Sequence, residues 1–168
     1  QADLDVKQVV PDHWPDHFSA HFLNVNAALA LEACLVLGFS EAALRSASAA
    51  LVLPPGRMVQ RNAPNGALIV VDFAHNPHGL ATVLHSLRTR VNGQVNLILS
   101  SKGGWAREKR QTMGKVASEL ADQVFITDDD PRQEDPALIR RQLFVDPRFR
   151  IVAGRRPAIA AGINSLGP

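Results

Sequence analysis

Residues 95–126 read VNLILSSKGGWAREKRQTMGKVASELADQVFI, and the order of properties along that stretch decides the fold. An apolar, β-rich run from Val95 to Leu99 gives way to a polar turn with paired glycines, Gly103 and Gly104. A helical stretch follows from Arg107 to Leu120, and a second β-rich run, Gln123 to Ile126, closes the unit. The alternation extends both ways. Ala67 to Val71 and then Leu80 to Arg90 precede it; Pro136 to Phe144, Phe149 to Val152 and Pro157 to Ile163 follow. This βαβα order predicts an α/β domain, an open and largely parallel sheet covered by helices, with functional residues gathered at the carboxyl ends of the strands.

Pro54-Pro55-Gly56 cannot continue a helix and marks a linker and domain boundary. Before it, Val25 to Leu37 is apolar nearly all round, broken by Asn26 and Glu32, which predicts a helix packed on several sides. Gly38 stops that helix, and Ser40 caps a second one over Glu41 to Leu51. The whole chain of 168 residues, 46% hydrophobic and 20% charged, is enough for one globular domain plus a piece of another. A net charge of +2 is too small for a nucleic-acid-binding surface. The lone Cys34 reads as a buried core thiol in a reducing compartment. No apolar stretch reaches the roughly 18 residues of a membrane span, and Gln1 to Lys7 lacks the order of a signal peptide. The expectation is a cytoplasmic protein without a membrane or nucleic-acid partner.

Three strand ends carry candidate chemistry. After Val71 come Asp72, His75, Asn76 and His78 in one strand-to-helix turn, where an acid can accept from a ribose or amine. The same residues also make an ordinary turn, with Asn76 as helix cap. After Leu99 come Lys102, Gly103 and Gly104, which can approach a phosphate or carboxylate, although neither a dinucleotide fingerprint nor a Walker sequence is present. After Ile126 the chain reads Thr127-Asp-Asp-Asp-Pro-Arg-Gln-Glu-Asp-Pro136. Asp129 or Asp130 can hold an ammonium and the Arg132 fork a carboxylate, as an amino acid requires. The plainer reading makes Asp135-Pro136 a helix start, with acids favouring its dipole. Metal binding by Asp128 to Asp130 is disfavoured because adjacent residues point in different directions. His13, His17 and His21 are spaced for one helix face, but Pro11 and Pro15 interrupt it.

Taken in order, Asn26-Ala-Ala-Leu-Ala with Gly38, Pro54-Pro-Gly-Arg57-Met58, Val71-Asp-Phe-Ala-His-Asn-Pro77, Lys109-Arg110 with Met113-Gly114, and Asp129-Asp-Pro-Arg132 with Glu134-Asp-Pro136 resemble the Mur ligases. These are ATP-dependent amide ligases of peptidoglycan synthesis, and the likeness is to their tripeptide synthetases. The resemblance implies a Rossmann-like C-terminal domain over residues 54–168, with helices on both faces of a mostly parallel sheet. Residues 1–53 would then be the end of the central ATPase domain. It also implies that the Walker loop, the magnesium ligands and the step in which ATP phosphorylates the substrate carboxylate lie upstream. ATP and magnesium would be cofactors of the intact enzyme, its partners an amino acid and a UDP-muramoyl-peptide, and the fragment alone would be inactive. The family's terminal Gly-Lys-Gly-His-Glu would follow shortly after Pro168.

By the same resemblance Asn26, Arg57, Asp72 and His75 would contact nucleotide, and Asp129, Asp130 and Arg132 the amino acid. Departures matter as much. Leu23 replaces the family's first asparagine, Phe73 its tyrosine, and Asp130 the asparagine of Asp-Asn-Pro-Arg. The Asp-Arg-Asp of the glycine loop is missing, so that Arg107 is the remaining candidate for its arginine. Losing such a charge-assisted contact costs about 1.5 to 3 kcal/mol. The extra acid and the lost arginine together imply a more cationic amino acid than diaminopimelate. Rival readings are a cyanophycin or folylpolyglutamate synthetase-like ligase, and a binding module that has kept the fold and lost the chemistry.

Overall fold

The computed structural model describes residues 21–48, 50–104 and 107–166. The chain divides between Val59 and Gln60 into two compact units.

In the first unit, α1 (His21–Val36) packs against α2 (Glu41–Ser48). Gly38, at φ +90°, ends α1 as the residue types predict. Its N–H donates to Leu35 O at 2.9 Å and that of Phe39 to Cys34 O at 3.1 Å, the paired bonds of a Schellman ending. Ser40 Oγ accepts from Ala43 N at 3.3 Å and starts α2. The expected many-sided packing of α1 is not what is found. Leu23 and Ala28 are buried, but Leu29, Leu35 and Val36 are exposed and Cys34 is only half-buried, since the short α2 covers one side of a helix that is apolar all round.

The second unit contains β1 (Val59–Asn62), which starts at the boundary, then β2 (Leu68–Val71), α3 (Pro77–Arg88), β3 (Asn96–Leu99), α4 (Glu108–Leu120), β4 (Gln123–Ile126), α5 (Pro136–Leu143), β5 (Arg150–Ile151) and α6 (Arg155–Asn164). β3, β4 and β5 form a parallel sheet in that order, with Asn96 opposite Gln123 and Ile126 opposite Ile151. β2 departs from expectation. It is hydrogen-bonded to β1 rather than to β3, because the turn over residues 63–67, with Gly66 at φ +82°, folds the chain straight back on itself. The polar run Val-Gln-Arg-Asn of β1 carries no strand signal of its own and is held by that pairing.

Alternation along the strands covers both faces of the sheet. Leu99, Val124 and Ile126 join Leu80 and Leu84 of α3, Met113 and Ala117 of α4 and Leu143 of α5 in one core. Ile98 and Phe125 face the other way, onto α6, where Gly162 lets the helix pack closely: an added Cβ would stand 2.9 Å from Ile98 Cδ1. Two helix starts are built as the sequence indicates. Asn76 accepts from Gly79 N, and Asp135 from Ala137 N, both at 2.8 Å with proline at the first helical turn. Among the described residues no helix is long and apolar enough to cross a membrane.

Candidate functional site

Carboxyl ends of parallel strands leave their last residues free of the ladder, and here two such ends, those of β3 and β4, meet the turn that follows β2. The turn after β2, the loops after β3 and β4 and the first residue of α6 line one cavity of about 430 Å³. Asp72, His75, Lys102, Lys109, Asp129 and Arg155 are the charged or titratable residues of its lining. In the turn, Asp72 Oδ1 accepts from Ala74 N at 2.8 Å, which bends the chain, and the rings of Phe73 and His75 lie 5.2 Å apart. Arg155 is anchored to the β3 end through Ser100 Oγ at 3.0 Å.

The three adjacent acids diverge. Asp128 is committed on both oxygens, one to Arg140 Nη1 and the other to Gly154 N at 2.7 Å, and so ties the end of β4 to the start of α6. Asp129 accepts from Asp130 N at 2.8 Å and reaches the cavity. Asp130 Oδ1 accepts from Arg132 N at 3.0 Å, stabilising a loop in which Arg132 adopts φ +51°. Among the described residues no group of three or more His, Cys, Asp or Glu is placed to hold a metal ion.

Behind the cavity sits a network that sequence reasoning missed. Arg110 of α4 is fully buried. Its guanidinium donates to both oxygens of Glu134, at 2.9 and 3.1 Å, to Lys102 O at 2.9 Å, to Gln142 Oε1 at 2.5 Å and to Ser101 Oγ at 3.3 Å. Glu134 in turn accepts from Gly104 N at 2.5 Å and pairs with Arg107 Nε at 3.2 Å. A signal was present: Arg110, Met113, Gly114 and Ala117 fall at i, i+3, i+4 and i+7, the buried face of α4.

Arg110 foremost, then the Gly104 amide, hold the Glu134 carboxyl down at about 2 against an ordinary value of 4.5. A depressed carboxyl contributes stability that is complete above about 4.5 and lost as pH falls toward about 2. Asp122 and Asp146 are also held low, by Arg88 and Arg148, but equally so in a Glu134→Gln variant. Thermal midpoints followed through that window are expected to fall more steeply for the unsubstituted chain than for Glu134→Gln. Parallel curves would show that Glu134 is not held low.

Of the residues singled out beforehand, Asp72, His75 and Asp129 share the cavity. Asp130 and Arg132 stand exposed on the loop after β4, and Arg107 is exposed and engaged with Glu134. Asn26, exposed on α1, and Arg57, exposed in the turn where its N–H donates to Pro54 O, belong to the first unit. His13 and His17 lie outside the described residues.

Residues 56–168 match the model of the Mur ligase, glutamate ligase domain. The chain is 35% identical over 154 residues to a UDP-N-acetylmuramoyl-L-alanyl-D-glutamate--2,6-diaminopimelate ligase of Corynebacterium efficiens, covering 85% of this chain and 29% of the relative. It is 38% identical over 141 residues to the enzyme of the same description from Caulobacter vibrioides, covering 82% and 29%. A solved structure of such a ligase superposes with a TM-score of 0.58 at 35% identity, over 83% of this chain and 30% of that one. A Mycobacterium tuberculosis folylpolyglutamate synthase complexed with ADP and AMPPCP gives a TM-score of 0.64 at 24% identity, over 87% and 34%, a likeness of fold alone. The chain thus spans about 29% of the length of these curated relatives. Match and geometry agree, and the chain belongs to the Mur ligase family.

Proposed function

We propose that this chain is the amine-positioning part of an ATP-dependent, ADP-forming amide ligase that adds an amino acid to a UDP-N-acetylmuramoyl-peptide in peptidoglycan synthesis, in the cytoplasm. The observation that carries this reading is the mixed charge of one cavity at the carboxyl edge of the sheet. Lys102, Lys109 and Arg155 line it together with Asp72 and Asp129, residue types that can partner anionic and ammonium groups. The domain match and the names of the relatives support the reaction class.

In this reading residues 1–53 end the central ATPase domain and residues 54–168 form the C-terminal domain. The substrate carboxylate is activated elsewhere in the intact enzyme as an acyl phosphate; the amine attacks its carbonyl carbon, the C–O bond to phosphate breaks and inorganic phosphate leaves. This part contributes position and electrostatics. Asn26, Arg57, Asp72 and His75 contact the nucleotide, while Asp129, Asp130, Arg132 and Arg107 address the amino acid. Asp130, an acid beside Arg132, favours an amino acid more cationic than diaminopimelate.

The test is phosphate release by an intact ligase carrying this chain, with ATP, magnesium and UDP-N-acetylmuramoyl-dipeptide, over diaminopimelate, lysine, ornithine and glutamate. Release that depends on a diamino acid is expected, with lysine or ornithine preferred. Equal use of diaminopimelate would sink the cationic preference. Glutamate-dependent release on a folate acceptor instead would favour the folylpolyglutamate synthase-like reading, and no release at all a non-catalytic module.

A further inference from the structure

Among the described residues, the polar network of Arg110 and Glu134 stands one layer outside the lining of the cavity. Arg110 and Glu134 are buried, their side chains 1% and 6% exposed, and neither lines it. What they do touch is the backbone of the loops that line it. Arg110 holds Lys102 O and Ser101 Oγ in the loop after β3, while Glu134, in the loop after β4, holds Gly104 N. A further backbone bond joins the loops directly, Gly103 N to Asp130 O at 2.9 Å. A buried ion pair is weak evidence for stability, because desolvation offsets much of the attraction. An apolar pair could fill the same volume, but it could not satisfy the Lys102 carbonyl and the Gly104 amide together.

We propose that Arg110 and Glu134 are positioning residues for the amine-donating substrate: by bracing the two loops as one body, they hold Lys102 and Asp129, which both line the cavity, at a fixed spacing. The proposal rests on the ligase reading above. A zwitterionic amino acid needs its ammonium and carboxylate partners at a set separation, and a shift of about 1 Å in either costs binding and orientation. Substrates that do not bridge the two loops are indifferent to that spacing.

Two variants test this. Glu134→Gln keeps the shape and removes the counter-charge; Arg110→Lys keeps the charge and loses the planar fork that reaches both loops, and it remains informative if the first folds poorly. Amide hydrogen exchange in the chain is read at Gly103, whose N–H bonds neither residue of the pair. Exchange faster by about tenfold or more is expected in both variants, since the loops separate. In the intact ligase, the KM for the amino acid is expected to rise about tenfold or more, as for one lost charge-assisted bond, with kcat and the KM for ATP within about twofold. Unchanged exchange at Gly103 overturns the bracing, and lowered kcat at unchanged amino-acid KM overturns the positioning role. Should the unsubstituted ligase turn over no amino acid, the ligase reading falls and the substrate role with it, while exchange at Gly103 still decides whether the pair couples the loops.

Discussion

Replacing Gly103 with alanine is expected to lower the thermal midpoint by roughly 14 °C, about 3 kcal/mol in a domain of some 100 residues. An added Cβ there would stand 1.9 Å from Pro131 O and 2.5 Å from Pro131 C, both backbone atoms that no rotamer change can move. The main chain must shift, and with it the bond from Gly103 N to Asp130 O. The backbone at Gly103 is ordinary, unlike Gly104 at φ +80°, so the loss arises from contact and not from conformational strain. Gly93→Ala is the control. Nothing lies within 4 Å of a Cβ at that position, and its midpoint is expected to stay within the scatter of a surface substitution. Equal midpoints for the two alanine variants, followed by circular dichroism, would show that the loops are not in backbone contact.

The second large effect sets two opposing influences against each other at Gly114, inside α4. Helix propensity alone favours alanine over glycine by about 1 kcal/mol. Packing opposes it, because the added methyl would meet Leu143 O at 2.4 Å and both Val145 methyls at 3.0 and 3.1 Å. Overpacking against a backbone carbonyl costs about 3 kcal/mol, so Gly114→Ala is expected to be destabilising by about 2 kcal/mol net. Chemical denaturation checks it, and a gain in stability would mean that the end of α5 yields freely. Because Arg110 lies one turn earlier on the same face, the variant is also expected to loosen the bonds from its guanidinium to Glu134.

The parallel core was legible in the sequence because β3 and β4 are short apolar runs bounded by turn residues, and because Asn76 and Asp135 announce the helices that follow. β1 was not, since Val-Gln-Arg-Asn has no apolar alternation and exists through its partner. The exposed side of α1 was misread because periodicity reports how apolar a helix is, not whether anything covers it. The cavity's Asp72, His75 and Asp129 were visible as residue types at strand ends. The brace behind them was not, because a charged side chain is rarely fully buried, and its partner Glu134 lay among acids that read as helix-favouring charges. Arg110 betrayed itself only by falling in register with Met113 and Ala117.

The seam at Gly103 also separates what can vary from what cannot. There the two loops are joined by a main-chain bond, Gly103 N to Asp130 O, made without a side-chain donor or acceptor, while Asp130 and Arg132 shape the loop beside it and Lys102 meets the Arg110 brace through its backbone carbonyl. The exposed side chain of Lys102 can therefore be recoded in charge and size while the frame persists, which makes position 102 a dial: a library confined to it explores amino-acid preference without drawing on the stability of the domain.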